Sequence, residues 1–141
     1  MIAASNRLRR HGDYQQVYQS SRKRFGKQMS YFFLLRQPQD PSPDHPGSYS
    51  ITGPRVGLTV SRAMGKAVQR NRIKRRVREA VRRHLSELKA PVDVVLHPGR
   101  RATQIDFSLL ERDVAQVFQA IQQEADRQLR AAGIPCDRGI A

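Results

Sequence analysis

GKAVQRNRIKRRVREAVRRHLSEL, residues 65–88, is the most basic and most helical stretch of the 141-residue sequence. Its apolar residues recur at helical spacing and form one stripe, made up of Ile73, Val77, Ala80, Val81 and Leu88. From Lys66 to Arg83 it carries nine lysines and arginines and one acid, Glu79. The pattern predicts a helix that ends near residue 88 or 89, buries one face on a core and presents cations on the other.

The cations of this helix fall into rows when residues are placed at about 100° intervals. The row opposite the apolar stripe contains Asn71, Arg75, Arg78 and Arg82, and a second row beside it contains Arg72, Arg76, Glu79 and Arg83. A charged helix face is often only a solvated face, but this many like charges repel one another unless a polyanion neutralises them. Arginine outnumbers lysine, and its planar fork suits bidentate contacts with phosphate. We therefore interpret the helix as a nucleic-acid-binding face.

Composition indicates the same class of partner. The net charge is +14 and the pI is about 11.3, as is typical of proteins that bind a polyanion. A length of 141 residues predicts one domain, which we place at residues 1–133 and interpret as RNA-binding, with a Pro-rich surface loop at 37–54 and a flexible tail at 134–141. Hydrophobic residues make up 38% of the chain, which predicts a modest core. The sequence has no long apolar run, lipidation signal or signal peptide, so we expect a cytoplasmic protein with no membrane partner.

Strand patterns flank the basic helix. Residues 55–61 alternate, with Val56, Leu58 and Val60 inward, and Gly57 leaves room for a close approach. Residues 92–97 form a second strand, apolar apart from Asp93. Strand, helix and strand together predict a βαβ unit, whose crossover is right-handed by the general rule.

Aromatic residues gather upstream of this unit. Residues 13–20 predict a short helix with Tyr14, Val17 and Tyr18 on one face. Residues 31–36 predict a strand with Tyr31, Phe33 and Leu35 on one side and Phe32 and Leu34 on the other. Two interpretations stay open: the tyrosines pack on the core, or they stay partly exposed and stack on unpaired bases. In the second, Tyr31 or Phe33 joins Tyr14 and Tyr18 on a shared surface.

The sequence does not predict a catalytic centre built from protein side chains. Its twelve acids are scattered, whereas metal-dependent phosphodiester cleavage uses clustered carboxylates. His11, His45, His84 and His97 fall in four different elements, and the sequence has neither zinc-type Cys/His spacing nor a GxxxxGKS phosphate loop. We expect no catalytic residues and no protein-bound metal.

The elements around the basic helix favour RNA over DNA. A helix-turn-helix regulator needs a second helix joined closely to the recognition helix, whereas strands flank this one. Exposed aromatic side chains beside a basic helix suit single-stranded RNA. A general RNA-binding or ribosomal protein and a DNA-binding regulator both stay open as alternatives.

Residues 55–79 resemble a known family. The run Arg70-Asn71-Arg72-Ile73-Lys74-Arg75, followed by Arg78-Glu79, is similar to the RNR signature of the protein subunit of bacterial ribonuclease P. The preceding run Arg55-Val56-Gly57-Leu58-Thr59-Val60-Ser61, and then Gly65, Ala67 and Val68, fit the same pattern. The resemblance covers roughly residues 8–129, and the order of strand and helix makes it more specific than a basic helix alone.

The resemblance implies a single α/β sandwich of order αβββαβα, with a small four-stranded sheet, three helices and a left-handed crossover. It also implies that an RNA subunit is the catalyst and holds Mg²⁺, while the protein binds that RNA, one to one, and the 5′ leader of precursor tRNA. The residues that would face the catalytic RNA are Arg70, Asn71, Arg72, Lys74, Arg75 and Arg78, with Lys66 and Arg82 beside them. The residues that would line the leader cleft are Tyr14, Tyr18, Phe33 and Tyr31.

The chain departs from the family pattern at two places. Where the family usually has two adjacent lysines after the Val-Ser strand end, this chain has Arg62 and Ala63, so one positive charge is lost there. The Pro-rich loop at residues 37–54 is longer than the pattern requires, and the sequence assigns it no role.

Overall fold

A computed structural model of the chain describes residues 7–8, 11–35 and 54–131. They form three α-helices and four β-strands in the order αβββαβα. The helices are α1 (His11–Ser20), α2 (Ala67–His84) and α3 (Phe107–Ala131), and the strands are β1 (Arg24–Phe25), β2 (Met29–Leu35), β3 (Arg55–Leu58) and β4 (Val92–Pro98). Short 3₁₀ helices lie at Arg62–Met64, Leu85–Glu87 and Arg100–Thr103. The element order implied by the resemblance is confirmed.

The strands of the described residues form one sheet in the order β1-β2-β4-β3. β2 pairs antiparallel with both β1 and β4, whereas β3 pairs parallel with β4. The parallel pair is connected through α2, so the predicted βαβ unit is confirmed, and the hand of its crossover stays a prediction.

The sheet is covered on both faces. Side chains alternate along β2, so that Met29, Tyr31, Phe33 and Leu35 are buried and the residues between them are half-buried. The buried set joins the larger core cluster, which includes the apolar faces of α2 and α3. Phe32 and Leu34 point the other way and pack with Val17 of α1 and Val95 of β4. The sheet therefore lies between α1 on one face and α2 with α3 on the other.

A buried ion pair ties the parallel strands together. Arg55 of β3 lies opposite Asp93 of β4, and its Nε and Nη2 donate to the two carboxylate oxygens at 2.8 and 2.7 Å. Arg55 Nη1 also lies 3.5 Å from Asp13 Oδ2, which connects the sheet to α1. The bidentate geometry compensates two charges that would be costly to bury singly, and it explains the one acid in an apolar strand.

Some predicted boundaries differ from the structure. β3 ends at Leu58 rather than at residue 61, because the chain turns into the 3₁₀ helix after Thr59 donates to Leu96 O at 3.0 Å. The α-helix ends at His84, and the last predicted turn is the 3₁₀ helix Leu85–Glu87. The predicted loop, apart from Pro54, and the predicted tail at residues 134–141 lie outside the described residues, so the domain boundaries stay predictions.

Candidate nucleic-acid interface

The start of α2 is fixed by its own local sequence. Gly65 has φ +126°, a region that L-residues with a Cβ avoid. A Cβ there would also lie 2.0 Å from Gln69 Oε1, which accepts the Lys66 N–H at 3.2 Å. Arg70 Nε donates to Gly65 O at 3.2 Å. Arg70, the first residue of the RNR signature, therefore helps to build the helix start.

The exposed surface of α2 carries cations that have no partner in the described part of the chain. Asn71, Arg72, Arg75 and Arg78 are exposed, and Lys74 is half-buried. We call these five residues the basic face. Within residues 7–8, 11–35 and 54–131, their side chains make no hydrogen bond or ion pair. No described residue of the chain therefore competes with an external anion for these side chains.

Other cations of the same helix have partners inside the protein. Arg76 donates to Ala102 O at 2.7 Å and also to Ile105 O, so it fastens α2 to the 3₁₀ helix before α3. Arg82 and Arg83 both bind Glu79, and these hydrogen bonds lower the pKa of its carboxyl group to about 2. The predicted site residue Arg82 is thus exposed but already paired.

Arg83 and His84 connect α2 to α3. Arg83 Nη1 lies 3.1 Å from Glu111 Oε2, and its guanidinium stacks 5.0 Å from the Phe107 ring. His84 contacts Glu87 and Glu111. Burial opposes protonation of His84, but the hydrogen bonds to these two carboxylates outweigh it and raise its pKa. The second row of α2 is therefore largely structural, which the helical period alone does not show.

Tyr14 packs against β3 where that strand has no side chain. The Tyr14 hydroxyl donates to Leu8 O at 3.1 Å. A Cβ on Gly57 would lie only 2.3 Å from the Tyr14 hydroxyl oxygen. The predicted role of Gly57 in a close approach is confirmed. Tyr14 and Arg78 both line a cavity of about 220 Å³ between α1, β3 and α2. Burial raises the pKa of the Tyr14 phenol, and the charge of Arg78 acts against that rise.

Tyr18 belongs to a cluster of rings on the α1 side of the sheet. Its ring meets Phe32 edge to face, with centroids 4.9 Å apart, and His97 lies 5.7 Å away. The Tyr18 hydroxyl lies 3.0 Å from His97 Nε2 and 3.3 Å from Thr59 Oγ1. Burial, with a smaller contribution from Lys23, lowers the pKa of His97. We call Tyr14, Tyr18, Phe32, Thr59 and His97 the tyrosine cleft. Tyr14, Tyr18 and Phe32 supply its six-membered aromatic rings.

The prediction that Tyr31 and Phe33 share a surface with the tyrosines is wrong. Both side chains are buried, at 6% and 4% exposure, in the core formed with α2 and α3. Because successive residues of a strand face opposite sides, it is Phe32 that reaches Tyr18. Phe33 is covered further by the Arg24 guanidinium, 4.6 Å from its ring. The predicted alternation of β2 is confirmed, but α1 covers the face that carries Phe32 and Leu34 rather than the face that carries Tyr31 and Phe33.

The basic face and the tyrosine cleft meet at Arg78. This residue lies on α2 with the other cations and lines the same cavity as Tyr14. The predicted RNA-facing residues of α2 and the predicted tyrosines therefore meet where Arg78 and Tyr14 line this cavity. The predicted site residue Lys66 is exposed at the N-cap position, one residue before α2.

A cation lies beside the position where the sequence departs from the family pattern. Arg100 Nη2 donates to Ala63 O at 3.0 Å. This guanidinium comes from the segment after β4, so its proximity to Ala63 was not predictable from local sequence. It places a positive charge next to the alanine that stands where a lysine is usual.

Among the described residues, no group of three or more histidine, cysteine, aspartate or glutamate side chains could hold a metal ion. The described helices also include none that is long and apolar enough to cross a membrane.

The fold and the surface define a class: a small basic α/β protein whose arginine-bearing helix adjoins an aromatic cleft where Arg78 and Tyr14 line one cavity. Comparison with known proteins gives the family. The ribonuclease P family model matches residues 2–122. The ribonuclease P protein component of Thermobifida fusca is 33% identical over 121 residues, covering 86% of this chain and 79% of the relative. That of Oleidesulfovibrio alaskensis is 37% identical over 101 residues, covering 72% of each.

Solved structures agree with the fold. The ribonuclease P protein from Thermotoga maritima aligns with a TM-score of 0.65 at 22% identity, covering 81% of this chain and 96% of that one. The Staphylococcus aureus protein aligns with a TM-score of 0.62 at 22% identity, covering 83% and 95%. The chain belongs to the bacterial ribonuclease P protein family.

Proposed function

We propose that this chain is the protein subunit of a ribonuclease P ribonucleoprotein that matures the 5′ end of tRNA. The basic face binds the catalytic RNA, and the tyrosine cleft binds the 5′ leader of precursor tRNA. The observation that carries the proposal is the set of α2 cations without partners in the described chain, next to half-buried aromatic rings. Family membership supports the same assignment.

The division of labour follows from charge and from ring chemistry. Guanidinium groups on a rigid helix bind phosphates without reading sequence, and they release counterions when they do so. Aromatic faces stack on unpaired bases of any identity. A leader differs between precursor tRNAs, so a cleft that binds by stacking suits this substrate better than one that reads base edges.

The chemistry belongs to the RNA in this proposal. Phosphodiester cleavage with Mg²⁺ uses ligands that hold the ion and the attacking water, and the RNA supplies them. The protein lowers the Mg²⁺ concentration that the complex needs, because its cations reduce repulsion between the RNA subunit and the precursor tRNA. We expect one protein per RNA and a cytoplasmic location.

Arg100 fits this assignment as a substitute cation. Its guanidinium donates to Ala63 O, four residues before α2 begins at Ala67, and we expect its charge to add to that of the basic face. The R100A variant should weaken binding of the catalytic RNA about as much as loss of one cation of the basic face.

Two variants separate the two binding roles. R72A/R75A should weaken binding of the catalytic RNA, measured by filter binding, while the complex that still forms at high protein concentration keeps its preference for a leader. Y18A should leave binding of the catalytic RNA nearly unchanged and reduce the affinity of the complex for precursor tRNA over mature tRNA. Arg127 and Arg130 on α3 are both exposed, so R127A/R130A provides the charge-matched control.

The alternatives predict different results. A general RNA-binding protein would lose RNA affinity in R72A/R75A but would show no leader preference in the wild type. A DNA-binding regulator would prefer duplex DNA to the catalytic RNA. Either outcome would contradict the proposal.

A further inference from the structure

Phe25 is the most exposed large hydrophobic side chain in the part of the chain that the structure describes, at 77% exposure. It lies in β1, and Lys23 Nζ is 5.6 Å from the centre of its ring. Single exposed apolar residues are common on protein surfaces, so exposure by itself assigns no role. The position of Phe25 beside a basic groove supplies the second observation.

A groove of about 470 Å³ runs between the β1–β2 turn and the connection from β3 to α2. Its lining includes Lys23, Phe25 and Lys27 from β1 and its neighbours. It also includes Thr59 and Met64 from the β3–α2 connection and His97 from β4. The described lining residues include two lysines and no acid. The groove therefore has the charge that a phosphate backbone needs.

The groove continues the tyrosine cleft. Thr59 and His97 line it and also lie within hydrogen-bonding distance of the Tyr18 hydroxyl. Because the cleft and the groove share Thr59 and His97, an RNA strand that contacts Tyr18 lies next to the groove, whose described lining includes no acid.

The β1–β2 turn is held rigidly. The carboxylate of Asp113, which is 3% exposed, accepts the backbone N–H of Lys27 at 3.1 Å and of Gln28 at 2.9 Å. Gly26 N–H donates to Met29 O at 2.7 Å, and Gly99 N–H donates to Gln28 O at 2.9 Å. An aromatic ring on such a fixed support loses less conformational freedom when a ligand stacks on it.

We propose that Phe25 stacks on a nucleobase of the precursor tRNA leader, outside the bases held by the tyrosine cleft, with Lys23 and Lys27 on the adjoining phosphates. The ligand class is single-stranded RNA, because an open aromatic face and a basic groove bind unpaired nucleotides without sequence readout. This inference rests on the proposed function, since the leader is the strand that the cleft receives.

The test uses the reconstituted complex and precursor tRNAs whose leaders lengthen one nucleotide at a time. For the wild type, affinity should rise with leader length and show a last increase when the leader reaches Phe25. F25A should remove that last increase, a loss of about fivefold or more, and leave the shorter leaders unaffected. F25W should retain it. L109A, which truncates another exposed apolar side chain (44% exposed) on α3, should behave as the wild type.

A fluorescent base identifies the contact directly. 2-Aminopurine placed at the leader position of the last increase should be quenched by the wild type and by F25W, but not by F25A. If F25A follows the wild-type curve at every length, and quenching is the same in both, the stacking role of Phe25 is wrong while the tyrosine cleft is unaffected. If the wild type itself shows no dependence on leader length, the leader assignment is wrong as well.

Discussion

Replacing Gly57 with alanine tests whether Tyr14 is held against β3 in the way that the structure shows. The new Cβ would lie 2.3 Å from the Tyr14 hydroxyl oxygen, 2.6 Å from Cζ and 2.9 Å from Cε1. Rotation of the hydroxyl hydrogen cannot relieve this clash, because two ring carbons take part in it. The whole ring, or strand β3, has to move.

Overpacking a well-fitted contact should lower the free energy of unfolding by about 1–3 kcal/mol. At roughly 4 °C per kcal/mol for a chain of this size, G57A should lower the Tm by about 4–12 °C. The displaced ring also leaves the cavity that it shares with Arg78, so the leader affinity of the complex should fall with the Tm.

A double-mutant cycle assigns the cost to one contact. Thermal unfolding is measured for the wild type, G57A, Y14A and G57A/Y14A. In the Y14A background, alanine at position 57 should cost close to nothing, since the atoms that it meets are gone. G12A is the matched control, because a Cβ on Gly12 meets no atom within 4 Å and alanine is favoured over glycine in a helix by about 1 kcal/mol. An equal cost of G57A with and without the tyrosine ring would refute the reasoning.

Three further predictions follow from the site. R75A and R78A should each reduce the slope of log affinity for the catalytic RNA against log salt by about 0.7–0.9. R82A should change this slope less, because Arg82 already pairs with Glu79. Equal slopes for all three variants would contradict the assignment of the basic face. F33A should cost about 3–5 kcal/mol of unfolding free energy in denaturant titrations without a specific loss of leader affinity. F32A should cost less unfolding free energy than F33A and should specifically reduce leader affinity. The two histidines should act oppositely on stability. The pKa of His97 is lowered in the folded chain, so the unfolded chain takes up this proton first and stability is lost as the pH falls below about 6.5. The pKa of His84 is raised, so its contribution to stability is complete at low pH and is lost as the pH rises through the folded pKa. Melting curves of H97Q and H84Q between pH 5 and 8 check both signs, and a wild-type-like profile for either variant would count against its assigned role.

The fold was largely predictable because its signals are local. The apolar stripe of α2 and the alternation of β2 fix which side chains are buried, and Gly65 and the residues after it fix where α2 begins. The boundaries were less predictable, since the end of β3 depends on where β4 and the 3₁₀ helix lie rather than on Thr59 or Val60 themselves. The buried partner of Asp93 was equally invisible, because Arg55 is 38 residues away in sequence.

The candidate site was predicted only in part for the same reason. Helical spacing identifies which arginines lie away from the core, but it cannot show that Arg76 binds carbonyl groups near α3 or that Arg70 binds Gly65. Phe33 was predicted to line the leader cleft, but Phe32 lies there instead. The sequence shows that β2 alternates, but it does not show which face of the strand α1 covers. Phe25 had no periodic signal at all, and its exposure emerges only from the pairing of β1 with β2.

The most direct test of the central claim is cleavage of a precursor tRNA at low Mg²⁺ and moderate salt, by the protein alone, by a cognate ribonuclease P RNA alone, and by both together. The account predicts that neither component alone cleaves appreciably and that the mixture restores cleavage at the mature 5′ end. Cleavage by the protein alone, in a preparation shown to be free of contaminating nuclease, would contradict the assignment of the chemistry to the RNA. Tight binding of the RNA without any stimulation of cleavage would contradict the role of this chain as the subunit that completes the enzyme.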